Sequence, residues 1–227
     1  MNKPVVILVS MLLALFCLGS RGLAQEQVVH TVHFPQGDAA WSVSFELDDL
    51  PGHLPLPKVK TSERQRTKID VVRKGNLRHD LVTWSDGTTT EYWWSGNPAF
   101  VLHQEGNDGR IIVDKTGNMN DSRMDETFFT WISPEHYVGL ENFKDKRCRY
   151  YEMTFELPSG DKATRRGWIE NKTSIPVGWS ETGILSIFSF DAPLPSDPLV
   201  MPSNFKTALD RMQSFFVFPK RTPASNP

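Results

Sequence analysis

Short runs of β-branched and aromatic residues recur along this chain, and turn-forming residues separate them. Runs of this length between turn formers are typical of strands. The first two are Val28 to Phe34 and Ala40 to Leu47, on either side of Pro35-Gln36-Gly37-Asp38. Residues 48–66 contain three prolines and then a polar stretch, which predicts a surface connection.

The clearest organisation begins at Thr67. Three strands follow one another, and their turns, Lys74-Gly75-Asn76 and Ser85-Asp86-Gly87, contain glycines that can take positive φ. Short strands at this spacing predict an antiparallel sheet rather than βαβ units. The predicted strands are Thr67 to Arg73, Leu77 to Trp84, Thr88 to Trp94, Ala99 to Gln104, Arg110 to Asp114, Arg147 to Leu157, Lys162 to Glu170 and Gly183 to Phe190.

Two helices complete the predicted fold. After a polar loop over residues 115–126, Ser133 can cap a short helix with Pro134 at its first position, and Gly139 ends it. Near the C-terminus, apolar residues at helical spacing predict an amphipathic helix that covers a sheet face. Those residues are Phe205, Leu209, Met212 and Phe216. The fold class is therefore mainly β: a single antiparallel, curved meander sheet, a half-barrel or open barrel, with a short helix and a C-terminal amphipathic helix packed on it.

The first residues read as a targeting segment. Lys3 precedes the apolar stretch from Val5 to Gly19, and Gly22-Leu23-Ala24 offers a cleavage site after Ala24. The sequence predicts a signal peptide at 1–24, one β-rich domain at 25–219 and a disordered tail at 220–227. It also predicts an exported protein, periplasmic or extracellular, with no membrane span after cleavage. An uncleaved anchor is the alternative, because Arg21 follows the apolar run; lipidation of Cys17 is rejected, since the bulky Phe16 precedes it.

Composition excludes some classes of function. The chain has 227 residues, 25 Lys and Arg against 27 Asp and Glu, and 39% hydrophobic residues, which describes an ordinary globular protein. No nucleic-acid partner is expected. Cleavage would leave Cys148 as the one thiol, so no intramolecular disulfide can form. We expect a small, half-buried strand residue there; pairing with another chain, or a reactive thiol favoured by Arg147 and Arg149, are the alternatives.

No motif for catalysis or metal binding is found. His79 and Asp80 are adjacent in a strand, so their side chains point to opposite faces and cannot form an acid–base pair. His30 and His33 are separated in the same way, which disfavours zinc. The oxygen-rich stretch from Asp114 to Asp125 lacks the glycine and the glutamate of a calcium loop. We therefore predict no catalytic residues, no metal site and no cofactor.

Aromatic residues are the most distinctive feature. Tyr92 and Trp94 share one face of their predicted strand, and Trp93 lies on the other. Aromatics on both faces imply that both sides of the sheet are covered, one by the closing helix and the other by a ligand, a loop or a partner. A core role is the alternative for each of them. The predicted ligand-binding residues are Tyr92, Trp93, Trp94 and Trp168.

One segment resembles a known class. The run from Arg166 to Val177, RGWIENKTSIPV, is similar to the Trp-Ile-Asp-x-x-Thr-Gly-Leu-Pro-Val segment of exported lipoprotein carriers, the LolA/LolB-like half-barrel class, with Ser174 where that segment has Gly. The order of the strands is also similar. The resemblance implies an antiparallel sheet curved around helices, with acyl chains held in its apolar cavity.

Three functions follow as hypotheses. The first is non-catalytic binding of a lipid, a lipoprotein acyl chain or another apolar ligand in the concavity of the sheet. The second is a structural or adaptor role in the envelope, with exposed aromatics that contact another protein, and the third is hydrolysis of envelope glycans. An apolar hollow would support the first, a flat apolar patch the second, and two facing carboxylates in a polar cleft the third.

Overall fold

The computed structural model describes residues 30–48, 64–95, 100–106, 109–115, 124–181 and 183–215. The chain divides into two compact units, Met1–His30 and Thr31–Pro227. Of the first unit only His30 is described, so the fold below is that of the second. The predicted signal peptide, the tail 220–227 and Phe216 lie outside the described residues.

Over the described residues the fold class is the predicted one, a single antiparallel sheet of eleven strands that does not close into a barrel. One α-helix of this part of the chain, α1 at Ser203–Ser214, packs on the sheet. The first six strands are β1 Ala39–Leu47, β2 Arg66–Lys74, β3 Leu77–Trp84, β4 Thr89–Ser95, β5 Phe100–Glu105 and β6 Ile112–Lys115. The other five are β7 Tyr137–Phe143, β8 Lys146–Glu156, β9 Lys162–Glu170, β10 Pro176–Glu181 and β11 Ile184–Ser189.

Two meanders make up the sheet. Its strand order is β6-β5-β4-β3-β2-β1-β11-β10-β9-β8-β7, so each half folds on its neighbours in sequence and the pairing of β1 with β11 joins the halves. Gly75 and Gly87 take φ of 58° and 81° in the turns that connect β2, β3 and β4, as predicted. The edge strands β6 and β7 are consecutive in the chain. Residues 124–136, here called the crossover, belong to the connection between these two edges.

Side chains alternate between two covered faces. On the crossover face, strand residues such as Trp41 and Val43 form one buried cluster with Met124 and Phe129 of the crossover. The opposite face is here called the helix face. Its buried cluster under α1 comprises Trp93, Phe100, Leu102, Phe205 and Leu209. Phe205 and Leu209 are buried as the helical spacing predicted, and Met212 is half-buried.

The segment before β1 is not the predicted strand. The described residues 30–34 take no regular structure, although the amide of His33 donates to the carbonyl of Ser174 at 2.8 Å. Phe34 is buried, and its ring lies 5.2 Å from that of Trp41 and 5.3 Å from that of Phe190 in edge-on contacts. The apolar side chains of this segment therefore pack on the crossover face, and its backbone does not form a strand of the sheet.

The predicted short helix differs in kind and length. Within residues 124–136 the structure has two 3-10 helices, at Glu126–Phe129 and Pro134–His136, and Pro134 follows Ser133 as predicted. β7 begins directly after the second one and runs through Gly139, which was expected to end a helix. This strand was not predicted, because its apolar residues Val138 and Leu140 are 61% and 39% exposed while Gly139 and Glu141 take the half-buried positions between and beside them.

Cys148 is a strand residue, as expected, and it is fully buried where half-burial was expected. Its thiol is free and its side chain is fully buried in β8. Burial raises the pKa of the thiol to about 11, because the thiolate would lose its hydration. The thiol is therefore protonated at neutral pH and unsuited to act as a nucleophile.

Candidate functional site

The four predicted ligand-binding aromatics do not form one site. Trp93 packs under α1, with its ring 6.3 Å from that of Phe205. Tyr92 and Trp94 lie on the crossover face, where they pack in or against the buried cluster. Trp168 is on the helix face in the other half of the sheet, 1% exposed.

Hydrogen bonds and stacking hold three of these rings in place. The Nε1 groups of Trp93 and Trp94 donate to Glu91 at 2.8 Å and to Asp80 at 3.0 Å. The Trp168 ring stacks on those of Phe143 and Tyr150, with centroids 4.4 Å and 5.5 Å away. The expectation that one set of strand aromatics meets the helix is confirmed for Trp93. The cavity described next is lined by residues other than these four aromatics.

A cavity of about 470 Å³ lies between the crossover and the sheet. Its floor is formed by five adjacent strands, β2, β1, β11, β10 and β9, and residues of the crossover cover it. We call it the crossover cavity. Its walls are Phe45, Arg66, Met124, Thr127, Phe128, Arg165, Trp179, Glu181, Ile184 and Ser186.

Strand register explains why there is space here. Ser186 on β11 stands directly between Phe45 on β1 and Trp179 on β10. One step along the same face, the larger Phe188 pairs with Val43 and fills the core. The small serine between two aromatics therefore leaves a hollow, because its neighbours are held apart by the spacing of the strands, about 4.8 Å per step.

A second small residue, on the strand next to β10, allows the crossover to pack closely against the sheet. Gly167 on β9 pairs with Trp179. A Cβ at Gly167 would lie 2.9 Å from Cδ1 of Ile132 and 3.2 Å from Cζ2 of Trp131, so a side chain here would push the crossover away. Phe128 then meets the Trp179 ring edge-on at 4.9 Å and forms a cover for the cavity.

Two polar atoms in the cavity wall are buried without a hydrogen-bond partner. They are Nε1 of Trp179 and Oγ of Ser186. Leaving such a group unpaired in a folded protein costs about 1–3 kcal/mol. Buried polar groups in folded proteins usually bond to protein or to ordered water, and an ordered water is the simplest partner for each of these two. Arg165, in the same wall, donates through Nε to Oε2 of Glu181 at 2.6 Å.

The cavity reaches the surface at one end of the strands. Ile184 is 38% exposed there, and the neighbouring Leu47 is 62% exposed. A second depression of about 340 Å³ shares Phe45, Arg66 and Ile184 with the first. The guanidinium of Arg66 lies 5.0 Å above the Phe45 ring, which places a cation over an aromatic wall at this end.

A buried ion pair anchors the crossover beside the cavity. Nε of Arg78 lies 2.7 Å from Asp80, and Nη1 lies 3.2 Å from Asp125. Burial raises the pKa of Asp80, and the nearby guanidinium opposes that shift. Asp125 also caps the first turn of the crossover by accepting from the amide and hydroxyl of Thr127 at 3.0 Å and 2.7 Å. Thr127 is a wall residue, so this anchor fixes one side of the cavity.

Other titratable groups are arranged for structure. A second network on the helix face joins the buried Arg166 to Glu152 at 3.1 Å and to Asp48 at 3.9 Å. In both networks an arginine lies between two carboxylates. His79 and Asp80 lie on opposite faces, as expected, and Nε2 of His79 is 3.0 Å from Glu91.

Within the described ranges, no group of three or more His, Cys, Asp or Glu could hold a metal ion. Residues 116–123 of the calcium-like stretch are outside them. Likewise, none of the described helices is both long and apolar enough to cross a membrane.

None of the residues that line the crossover cavity was among the ligand-binding residues predicted from the sequence. The residues that matter most are Ser186, Trp179 and Phe45, which come from three strands. A polar residue inside the apolar alternation of β11, between Ile184 and Phe188, is the one local signal of a hollow. This signal can be interpreted only when the register of β11 with β1 and β10 is known.

No protein-family model matches the chain, and a search of the curated proteins finds no relative.

Proposed function

We propose that this protein is an exported, non-catalytic binding protein that holds a lipid or another apolar ligand in the crossover cavity. The observation that carries the proposal is the cavity itself. Its volume of about 470 Å³ lies within the range of ligand pockets, which is about 300–1,000 Å³. Its walls combine Phe45, Phe128 and Trp179 with a few polar groups, as such pockets do.

The resemblance to lipoprotein carriers supports the same function. Ser174 has a φ of 62°, the left-handed conformation that glycine adopts without strain, and it stands where the carrier segment has Gly. The predicted signal peptide supports an exported location, where a lipid or a lipoprotein acyl chain would need a carrier to cross water. Both arguments are independent of the cavity.

Binding of Nile red, a neutral apolar dye that fluoresces in apolar surroundings, tests the proposal. Ser186→Leu replaces the hydroxymethyl side chain on the floor of the cavity by an isobutyl group, and we expect the affinity for the dye to fall at least tenfold. Ser44→Leu is the matched control, because Ser44 lies on the neighbouring strand β1 but on the helix face, opposite Ile187. We expect it to bind the dye as the unaltered protein does.

Two results would contradict this function. One is a lack of dye binding by the unaltered protein, and the other is equal affinity in Ser186→Leu and the unaltered protein. Urea unfolding of each variant separates a filled cavity from a failure to fold.

One observation favours the adaptor role as a second candidate. A groove of about 650 Å³ lies between α1 and the edge strand β6, and it exposes Ile112 and Phe215. Among the exposed large hydrophobic side chains of the described residues, Phe215 is the one aromatic. A photo-crosslinker at position 215 in the producing cell would form a discrete adduct if this groove binds a protein, and Ile112→Lys should abolish it. Absence of any adduct would exclude the role for this groove.

A further inference from the structure

The two edge strands of the described sheet, β6 and β7, differ in their protection against pairing with a strand of another molecule. The outer side of an edge strand presents backbone N–H and C=O groups that a strand of another chain can bind, and proteins prevent this with short edge strands, lysine and proline. β6 is protected in this way, because it has four residues and ends in Asp114 and Lys115. It is therefore a poor template for a further strand.

β7 lacks these protections. It has seven residues and contains no lysine, arginine or proline, and no strand of the described ranges pairs with its outer side. Val138 and Leu140, at alternate positions, are 61% and 39% exposed. Its one charged residue, Glu141, is half-buried and accepts a hydrogen bond from the indole of Trp168. An apolar edge of this kind promotes association between molecules.

We propose that β7 pairs with β7 of a second copy of this chain, in antiparallel orientation about a two-fold axis at Leu140. The pairing of β7 with β8 has a bulge between Tyr137 and Gly139 and is regular from Gly139 to Phe143. An axis at Leu140 keeps the central pairs of the new ladder within or next to this regular part. A two-fold interface uses the same surface of both copies, so the assembly closes as a dimer.

The side chains of β7 are complementary to one another in this register. Leu140 stands opposite Leu140 of the second copy, and Val138 stands opposite Asn142. Since opposite residues have Cβ atoms about 4.5–5.5 Å apart, the exposed apolar side chains of both copies form one cluster across the axis. Glu141 stands opposite Gly139, so the two carboxylates do not face each other, which would be destabilising.

The charges at the two ends of β7 favour the same orientation. The exposed Glu135 lies just before the strand, and residues 144–147 follow it with a formal charge of 3 − 1 = +2. Including Glu46, which Lys144 contacts at 3.0 Å, this end remains at +1. Antiparallel pairing places the acidic start of each strand beside the basic end of the other, whereas parallel pairing would place like charges together. This complementarity of β7 with itself indicates a second copy as the partner.

Sedimentation equilibrium of the purified protein over a range of concentrations tests the association. We expect a dimer and no larger species. Leu140→Lys places two ammonium groups opposite each other at the axis, and the dissociation constant should rise at least tenfold. Val200→Lys is the matched control, because Val200 is 72% exposed in the segment before α1. We expect this control to dimerise as the unaltered protein does.

Cysteine substitutions test the register. The two copies of Leu140→Cys face each other at the axis, so mild oxidation should link them by a disulfide. Asn142→Cys is the matched control on the same strand, because its two copies lie four residues apart along the ladder, about 13 Å, which a disulfide cannot span. Cys148 is buried and should not form this link.

Three results would overturn the proposal. The first is a protein that remains monomeric at every concentration, and the second is equal association of Leu140→Lys and the unaltered protein. The third is a dimer in which Leu140→Cys is not linked more efficiently than Asn142→Cys. Urea unfolding shows that each variant is folded. No β7 residue is among the described walls of the crossover cavity, so this inference does not depend on ligand binding.

Discussion

Replacing Arg78 by methionine tests whether a buried charge network holds the crossover on the sheet. The Asp80 side chain is fully buried, and its oxygens accept from Arg78 at 2.7 Å and from the Trp94 indole at 3.0 Å. Methionine keeps much of the volume of the arginine stem between the Trp41 and Trp94 rings, but it leaves Asp80 without its cation. Breaking a buried pair in this way costs about 3–5 kcal/mol.

Urea unfolding followed by circular dichroism measures this loss. Since the slope of unfolding free energy against urea is typically about 1–3 kcal/mol per molar for a small protein, the midpoint should fall by more than about 1 M. Asp80→Asn added to Arg78→Met removes the unpaired charge, and we expect it to restore at least ~1 kcal/mol. The double-variant cycle therefore isolates the charge from the change in packing.

Acidification provides an independent check with a defined sign. Burial raises the pKa of Asp80, and the loss of Arg78 removes the main influence that lowers it. The folded variant then binds a proton at a pH where the unfolded chain, with a carboxyl pKa of 3.8, does not. Its stability deficit should shrink as the pH falls from 7 towards 5. A loss below ~1 kcal/mol at pH 7, or a deficit that does not change with pH, would refute the reasoning.

Three further predictions concern the helix, the thiol and the N-terminus. Leu209→Ala should lower the free energy of unfolding by ~2–5 kcal/mol, because the side chain is 7% exposed under α1; a loss below ~0.5 kcal/mol in urea would mean that the helix is peripheral. Cys148, with a thiol pKa of about 11, should resist iodoacetamide at pH 8 in the folded protein and react fully in urea, as mass spectrometry would show; rapid labelling of the folded protein would contradict its burial. Sequencing of the mature protein from the producing cell should begin at Gln25, and retention of residues 1–24 would favour an uncleaved anchor.

The strands were predictable where local chemistry determines them. The turns at Gly75 and Gly87 require positive φ, and the alternation on either side of them sets the buried face, so β2 to β4 were predicted within one residue at each end. β7 was not predicted, because its apolar residues Val138 and Leu140 lie at the exposed positions of the strand and Glu141 at a half-buried one, so the apolar pattern does not follow the alternation of burial. The apolar residues around Phe34 were predicted as a strand because packing onto a sheet and belonging to it select the same residue types.

The candidate site was beyond sequence reasoning for a different reason. Phe45 and Ser186 are adjacent only because β1 pairs with β11, and these two strands are separated in sequence by nearly the whole sheet-forming part of the chain. The effect of a serine in a strand depends on the size of its partners on the neighbouring strands. The aromatic residues at 92–94 instead pack the sheet against the crossover on one face and against α1 on the other.

The seam between β1 and β11 has a consequence for how the molecule folds. Each meander is made of contacts between neighbours in sequence and can form quickly, whereas the seam must close a loop that contains both of them. We therefore expect two early nuclei, one in each half of the chain, and a rate-limiting docking step in which β1 and β11 meet. Since the floor of the crossover cavity spans this seam, the cavity should be the last part of the molecule to form during folding and the first to open during unfolding.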